Sequence, residues 1–524
     1  MRHHRAALSL LLLALGSFCA LPLTAEPPAS LAARIHKIVQ RPEFRHAFWG
    51  IEFFDLDAGR PVYQLNADKL FIPGSTTKLL TEGTALALLG PDHRFTTRIY
   101  RTGPVTDGVL EGDLVLVASG DPNLSGRIRP DGTLAFENKD HSYGGAAVPG
   151  DPLLVVRQLA EQVAAHGIRT VRGRVRVDIS LFPEGERELG TGSVLSPIVI
   201  NDNFVDVTIG PGAAPGAPAI LTASPSTSYV RFVNQVKTGP EGSLPAIGPP
   251  EDVANADGSH TVAVTGSFPI GTKPAFFPYP VPEPSRFAVS VLTEALAEKG
   301  VHVEPDAAKI GAAGAEPKPP FPTPFPENQV VAEHVSPPFR EEVKVTLKVS
   351  QNLHASNTPF WVGALLRKEP TQTFFDLERD FLTAAGLDLS GAQQADGAGG
   401  DAHYTPAFMV SYLAMMAKRP DFAIFHAGLP ILGRNGTLAE VQVNAPAAGH
   451  VFAKTGTYAV DDPLNRRLLV TGKGLAGYLT TAAGKHLAFA VYLNNVSVSM
   501  AADEVTRIVG QAMGEVAAAA YDGL

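Results

Sequence analysis

Cysteine is nearly absent: the 524 residues hold a single one, Cys19. That excludes an intramolecular disulfide and any cluster of thiolate metal ligands. Basic residues are in deficit, with 43 Lys and Arg against 52 Asp and Glu, so a broad electropositive surface for nucleic acid is not expected. Beyond the first twenty residues no eighteen apolar residues run together, so no integral membrane segment is expected in the body of the chain. Charge itself is modest, at 18% of residues against 45% hydrophobic, which is a folding composition and not a disordered one. The 50 Gly and 44 Pro have no period, which excludes collagen-like repeats. The length suits two to four domains.

The chain opens with a basic cluster, Arg2, His3, His4 and Arg5, followed by an apolar run from Ala6 to Ala20 that is too short to span a membrane comfortably. Small and polar residues follow, with a cleavage point after Ala25. Residues 1–25 thus read as a signal peptide, and the protein as exported, periplasmic or extracellular. Phe18 before Cys19 argues against lipid attachment, which wants a small residue there. Ala29 to Gln40 reads as an amphipathic helix, and Phe48–Phe54 with Pro61–Leu65 as a hairpin. From Ser75 to Leu89 the pattern is that of a buried helix, stopped by Gly90 and Pro91. From 91 to 327 short β-rich runs dominate, broken by helices near 153–166 and 285–299. A proline-rich connector, Ala315 to Pro326, ends this region. Helices then return, followed by strands at 450–453, 474–480 and 486–494 and a closing helix from Ala501 to Tyr521. The layout is one domain split by an insertion.

Ser75 and Lys78 stand three apart at a helix start, on one face, so the ammonium reaches the hydroxyl. A serine hydroxyl needs a base to become a nucleophile, and a lysine serves when burial or a neighbouring cation keeps it neutral. Ser350-Gln351-Asn352 adds a hydroxyl and an amide suited to proton relay and to binding a substrate amide. Lys454-Thr455-Gly456 follows a strand-like run, where a lysine and a hydroxyl hold a carboxylate and the glycine admits substrate to the backbone. A second Lys-Thr-Gly, Lys237-Thr238-Gly239, runs into Pro240 and Gly242 and reads as a turn. Gly472-Lys473-Gly474-Leu475-Ala476-Gly477 matches a dinucleotide fingerprint, but a strand follows it and not a helix, so no cofactor is expected. The histidines are scattered, so no metal site is expected either. Trp49 and Trp361 read as core residues.

Ser-x-x-Lys, Ser-x-Asn and Lys-Thr-Gly in this order are the signatures shared by class A β-lactamases and penicillin-binding proteins. Lys78 and Ser350 lie 272 positions apart, far more than in ordinary β-lactamases. The sequence resembles the class C low-molecular-mass penicillin-binding proteins, the D-alanyl-D-alanine carboxypeptidase/endopeptidase family. Pro73-Gly74-Ser75-Thr76-Thr77-Lys78, Ala118-Ser119-Gly120-Asp121-Pro122-Asn123-Leu124, Asn201-Asp202-Asn203, Ser336-Pro337-Pro338, Leu429-Pro430 and Asn435-Gly436-Thr437-Leu438 share in the likeness, which covers nearly the whole chain after the signal peptide. It implies an α+β fold, a penicillin-binding-protein/β-lactamase-like transpeptidase domain with an antiparallel sheet flanked by helices, split by a β-rich two-domain insertion. The expected division is 26–90 and 328–524 for the catalytic domain, 91–200 and 284–327 for a first inserted domain, and 201–283 for a second.

The resemblance further implies a serine carboxypeptidase and endopeptidase acting on peptidoglycan peptides. Ser75 is the nucleophile, Lys78 its base, Ser350 and Lys454 the proton route to the leaving amine, and Asn352 the substrate amide's partner. Lys454 and Thr455 hold the terminal carboxylate, beside Gly456, and the N–H groups of Ser75 and Thr457 form the oxyanion hole. Asp178, from the insertion, is the expected partner of the peptide stem's free amine. β-Lactam antibiotics are the implied covalent inhibitors, and a homodimer is allowed for. Two departures bear on specificity: a long loop, Tyr458 to Lys473, follows the Lys-Thr-Gly, and Asp396-Gly397-Ala398-Gly399-Gly400-Asp401 replaces a more usual Asp-Gly-Ser-Gly-Leu-Ser. The competing functions are a β-lactamase or esterase on the same fold, and a slow, wall-binding scaffold.

Overall fold

A computed structural model describes residues 30–304, 324–501 and 503–524. The expected signal peptide and most of the proline-rich connector lie outside the described residues. Strands from both parts of the chain meet in one antiparallel sheet, in the order Arg60–Leu65, Phe48–Asp55, His486–Asn494, Arg467–Thr480, Val451–Asp462, with Val496–Val498 also paired to Arg467–Thr480. The expected hairpin near the start of the chain forms and lies directly against the strand His486–Asn494.

Alternation along His486–Asn494 explains the layers, because successive side chains of a strand point to opposite faces. Leu487, Phe489, Val491 and Leu493 face a core closed by helices α1 (Leu31–Val39) and the C-terminal helix Gln511–Gly523. Ala488, Ala490 and Tyr492 face the other way, toward helix α2 (Lys78–Leu89) and the helix Pro406–Met416. Small residues on that face let the catalytic helices approach the sheet. Helix α2 is buried from Lys78 to Leu86, its Lys78, Thr81, Glu82 and Thr84 included. It stops where Gly90, at φ 83°, donates its N–H to the carbonyl of Leu86.

Between α2 and the later helices the β-rich region builds sheets of its own. Thr96–Arg101, Leu114–Val117 and Val175–Asp178 form one of them with Val330–Val335. The last strand therefore belongs with the inserted sheet, although the expected boundary at residue 328 placed it with the catalytic part. Helices α3 (Leu154–Ala165) and α4 (Pro284–Glu298) pack into the core of this region. The named strands between Phe204 and Pro280 pair only among themselves.

Two local readings are corrected. Lys237-Thr238-Gly239 is not a turn but the end of the strand Val230–Gly239, held in parallel register as Lys237 opposite Ser267 and Gly239 opposite Pro269. The stretch from Tyr458 to Lys473 is not a loop but the outer half of the hairpin Val451–Asp462 and Arg467–Thr480. Its charged residues suggested a loop, but the chain turns only between Asp462 and Arg467, and Leu468–Val470 gain a further partner in Val496–Val498. The dinucleotide-like Gly472–Gly477 lies within this strand pair. Trp49 and Trp361 are buried in the core.

Candidate active site

Ser75 lies in a 3₁₀ turn, Gly74–Thr77, that feeds directly into α2. Gly74 sits at φ +51°, a conformation that costs a residue with a side chain and that glycine adopts freely. The turn lies against the strand bearing Lys454-Thr455-Gly456. A Cβ on Gly456 would stand 2.0 Å from the Pro73 carbonyl oxygen and 3.0 Å from the Ser75 nitrogen, so only glycine lets the backbones meet. The second motif is a tight junction between two further helices, α5 (Phe339–Val349) and α6 (Asn352–Leu366). Ser350 takes a left-handed conformation, φ 64° and ψ 37°, which reverses the chain. Gln351 then caps α6 by accepting a hydrogen bond from Leu353 N at 2.8 Å.

These three pieces converge on one ammonium. Lys78 Nζ lies 2.7 Å from Ser75 Oγ, 2.5 Å from Asn352 Oδ1 and 3.3 Å from Ser350 Oγ. On the far side Lys454 Nζ donates to Ser350 Oγ at 2.8 Å and to the Thr455 carbonyl at 2.8 Å. A continuous chain of polar atoms thus runs from Ser75 through Lys78 and Ser350 to Lys454. Burial pushes the Lys78 ammonium down to about 8, against the opposing pull of Glu188, Asp396 and Glu82. Burial, with Lys78 and Lys473 close by, holds Lys454 well below the ordinary lysine range. Cations taken out of water and crowded together give up protons readily, which is the state a base needs.

A cavity of about 560 Å³ opens over this cluster. Ser75, Ser350, Asn352, Thr455 and Thr457 line it, and the inserted region contributes Asp140, Tyr143 and Gly190. Asp178 is not brought there: it is buried at the end of its strand, and its carboxylate accepts from Ser180 N at 2.9 Å. Glu188, an acid of the same region, accepts from Asn352 Nδ2 at 2.8 Å. Sequence reasoning also passed over Lys473, whose Nζ donates to Thr457 Oγ1 at 2.6 Å from the neighbouring strand. The register of the hairpin, Thr457 opposite Lys473, was the signal that would have found it. Asp396-Gly397-Ala398-Gly399-Gly400-Asp401 packs behind the nucleophile, where Thr81 Oγ1 donates to the Gly397 carbonyl at 2.9 Å.

The lysine pKa fixes the sign of a pH dependence. With Lys78 at about 8, the free base is the minority form at neutral pH and grows as pH rises. Acylation by a penicillin is expected to climb close to tenfold per pH unit below about 8 and then level off. Stopped-flow or quench measurements between about pH 6 and about pH 9 read this directly, and a flat profile removes Lys78 as the base.

Comparison with known proteins gives a consistent result. The sequence profile of the D-Ala-D-Ala carboxypeptidase 3 (S13) family matches residues 31–517. A D-alanyl-D-alanine carboxypeptidase of Actinomadura sp. (strain R39) is 28% identical over 490 residues, covering 88% of this chain and 80% of that protein. D-alanyl-D-alanine carboxypeptidase DacB of Haemophilus influenzae is 23% identical over 460 residues, covering 84% of each. The crystal structure of penicillin binding protein 4 (dacB) from Haemophilus influenzae matches with a TM-score of 0.69 at 20% identity, over 93% of this chain and 99% of that one. The structure of the same protein complexed with a β-lactam matches with a TM-score of 0.67.

Proposed function

The chain belongs to the D-Ala-D-Ala carboxypeptidase 3 (S13) family of penicillin-binding proteins, and from that premise we propose that it hydrolyses D-Ala-D-Ala peptides and peptidoglycan cross-links through an acyl-enzyme on Ser75. The observation that carries the reading is the single buried ammonium of Lys78 within hydrogen-bond distance of Ser75 Oγ and Asn352 Oδ1. Ser75 Oγ attacks the carbonyl carbon next to the terminal residue while Lys78 takes its proton. The N–H groups of Ser75 and Thr457 receive the developing oxyanion. Ser350, between Lys78 and Lys454, passes a proton to the departing amine, the acyl-enzyme forms, and water then releases it. Asn352 meets the substrate amide, and Thr455 receives the terminal carboxylate with Lys454 behind it.

The protein is an exported enzyme of the periplasm or cell exterior that works on peptidoglycan peptides and is blocked covalently by β-lactams. The division into a split catalytic domain and two inserted domains is part of the same proposal. Among the described residues no helix is long and apolar enough to cross a membrane. The test is to supply a D-Ala-D-Ala-terminated pentapeptide and a cross-linked peptide dimer and to separate the products by chromatography. Free D-Ala and resolved dimers, both abolished by prior penicillin treatment, are expected. D-Ala release with dimers left intact removes the endopeptidase half, and neither product removes the proposal.

A further inference from the structure

Resting on the assignment of Ser75 as nucleophile, we infer that Gln351 and Asp202 form a positioning pair, through which the inserted region holds Ser350 and Asn352 against Lys78. Ser350 lies in a left-handed conformation, and so do the three successive residues Asn201, Asp202 and Asn203, at φ 50°, 53° and 56°. Such backbones are costly for residues other than glycine and persist where surrounding contacts over-determine them. Here the two strained segments face each other. Gln351 Nε2 donates to Asp202 Oδ2 at 3.1 Å and to Asp140 Oδ1 at 3.1 Å, while its Oε1 caps α6.

Three residues on from Gln351, in α6, His354 places Nε2 3.0 Å from Asp202 Oδ1 and Nδ1 2.9 Å from Glu342 Oε1 on α5. From the insertion, Tyr143 donates its hydroxyl proton to the Ser350 carbonyl at 2.6 Å. The Ser-x-Asn junction is therefore tied at its first residue, its middle residue and the following helical turn to groups that lie between residues 140 and 202. Arg127 anchors this hub, with Nη2 2.6 Å from Asp140 Oδ2 and 2.5 Å from Asp202 Oδ2. Asp140, His141 and Asp202 also bring three potential metal-ligand atoms together, but the guanidinium already sits on both carboxylates.

All of these side chains are out of solvent: Asp202, Gln351, His354 and Arg127 are each 0–1% exposed. Paired, they fix geometry in a low-dielectric interior, where a hydrogen bond to a carboxylate is strong. None of them touches the cavity through its functional atoms. Their effect passes through Ser350 Oγ and Asn352 Oδ1, whose distances to Lys78 set the proton route. A displacement near one ångström at such a site is costly for the rate.

The experiment compares wild type with Gln351→Met and Gln351→Asn. The first keeps the volume and removes every hydrogen bond. The second keeps a good helix cap but is too short to reach Asp202 and Asp140, so it separates capping from positioning. The second-order rate of acylation by a fluorescent penicillin is measured per folded molecule, alongside the thermal midpoint. Both variants are expected to acylate about ten- to a hundredfold more slowly, with midpoints close to wild type. Gln351→Asn acylating within about twofold of wild type overturns the pair and leaves Ser75 as nucleophile. Failure of both variants to fold assigns Gln351 a structural role only and equally overturns it. A wild type that takes no penicillin removes the underlying Ser75 assignment as well, and is thereby distinguished from failure of the pair alone.

Discussion

Exposed briefly to a penicillin, the intact protein is expected to gain the mass of one penicilloyl group, and Ser75→Ala to gain none. Ser350 is the rival hydroxyl, since its Oγ also contacts Lys78 and is held by Lys454. Ser350 is 8% exposed and sits between two ammonium groups, whereas Ser75 stands at the head of α2, beside the Thr457 backbone, with its Oγ closer to Lys78. The shorter contact and the adjacent backbone N–H groups favour attack from Ser75. Lys78→Met keeps the length of the side chain and removes the base, so acylation is expected to slow by about 10²–10⁴-fold, the usual worth of a general base. Intact-mass spectrometry over a time course reads both variants. An adduct that survives Ser75→Ala moves the nucleophile to Ser350, and normal acylation in Lys78→Met moves the base to Lys454. The lifetime of the wild-type adduct carries a second result: a lasting one suits a wall peptidase, and rapid loss favours the β-lactamase alternative.

How far the site could be read from sequence follows from where its parts come from. Ser75 and Lys78 are legible because helical geometry alone makes them neighbours. Ser350, Asn352 and Lys454 are distant in sequence and are legible only through the order of their motifs. Tyr143 and Glu188 carry no motif. They arrive from the insertion through its packing on α5 and α6, and no local pattern in the chain foretells which acid of the insertion reaches Asn352. The family resemblance points to Asp178 for the amine, but in the structure its carboxylate accepts from Ser180 N in the turn that follows its strand. The outer hairpin was hidden for a different reason. Asp461, Asp462, Arg466 and Arg467 look like loop residues, but a hairpin exposed to water tolerates charge on its open face. Hardest to foresee was the hub around Asp202, because charged residues are expected at the surface and their burial depends on partners from four separate stretches of chain.

That hub is expected to carry a large share of stability, and Arg127→Met is the variant that reveals it. Arg127 and the carboxylates of Asp140 and Asp202 are 0–1% exposed. Methionine fills most of the space but removes the guanidinium that bridges the two buried carboxylates, leaving His141 and His354 as the cations beside them. Breaking a buried pair in this way costs about 3–5 kcal/mol, against about 0–1 kcal/mol for an exposed pair such as Arg98 with Glu333. Arg98→Met is therefore the control, and urea unfolding of the two variants is the measurement.

The pH dependence has a defined sign. Burial, the largest influence, would raise both carboxyls, but Arg127 together with the neighbouring histidines outweighs it and holds Asp140 below the ordinary range and Asp202 well below it. Their stabilisation is present above the ordinary carboxyl pKa and is lost as pH falls through the lower folded values. Burial likewise opposes the charged forms of His141 and His354, yet their acidic partners raise each to about 10. Their contribution is complete below the ordinary histidine pKa and fades as pH rises through about 10. Without Arg127 a carboxyl is freed to take up a proton, so the deficit of Arg127→Met is expected to be greatest near neutral pH and to shrink as the solution is made mildly acidic. An Arg127→Met protein no less stable than Arg98→Met at neutral pH would mean that the two carboxylates relax into water, and that the guanidinium does not hold the hub together.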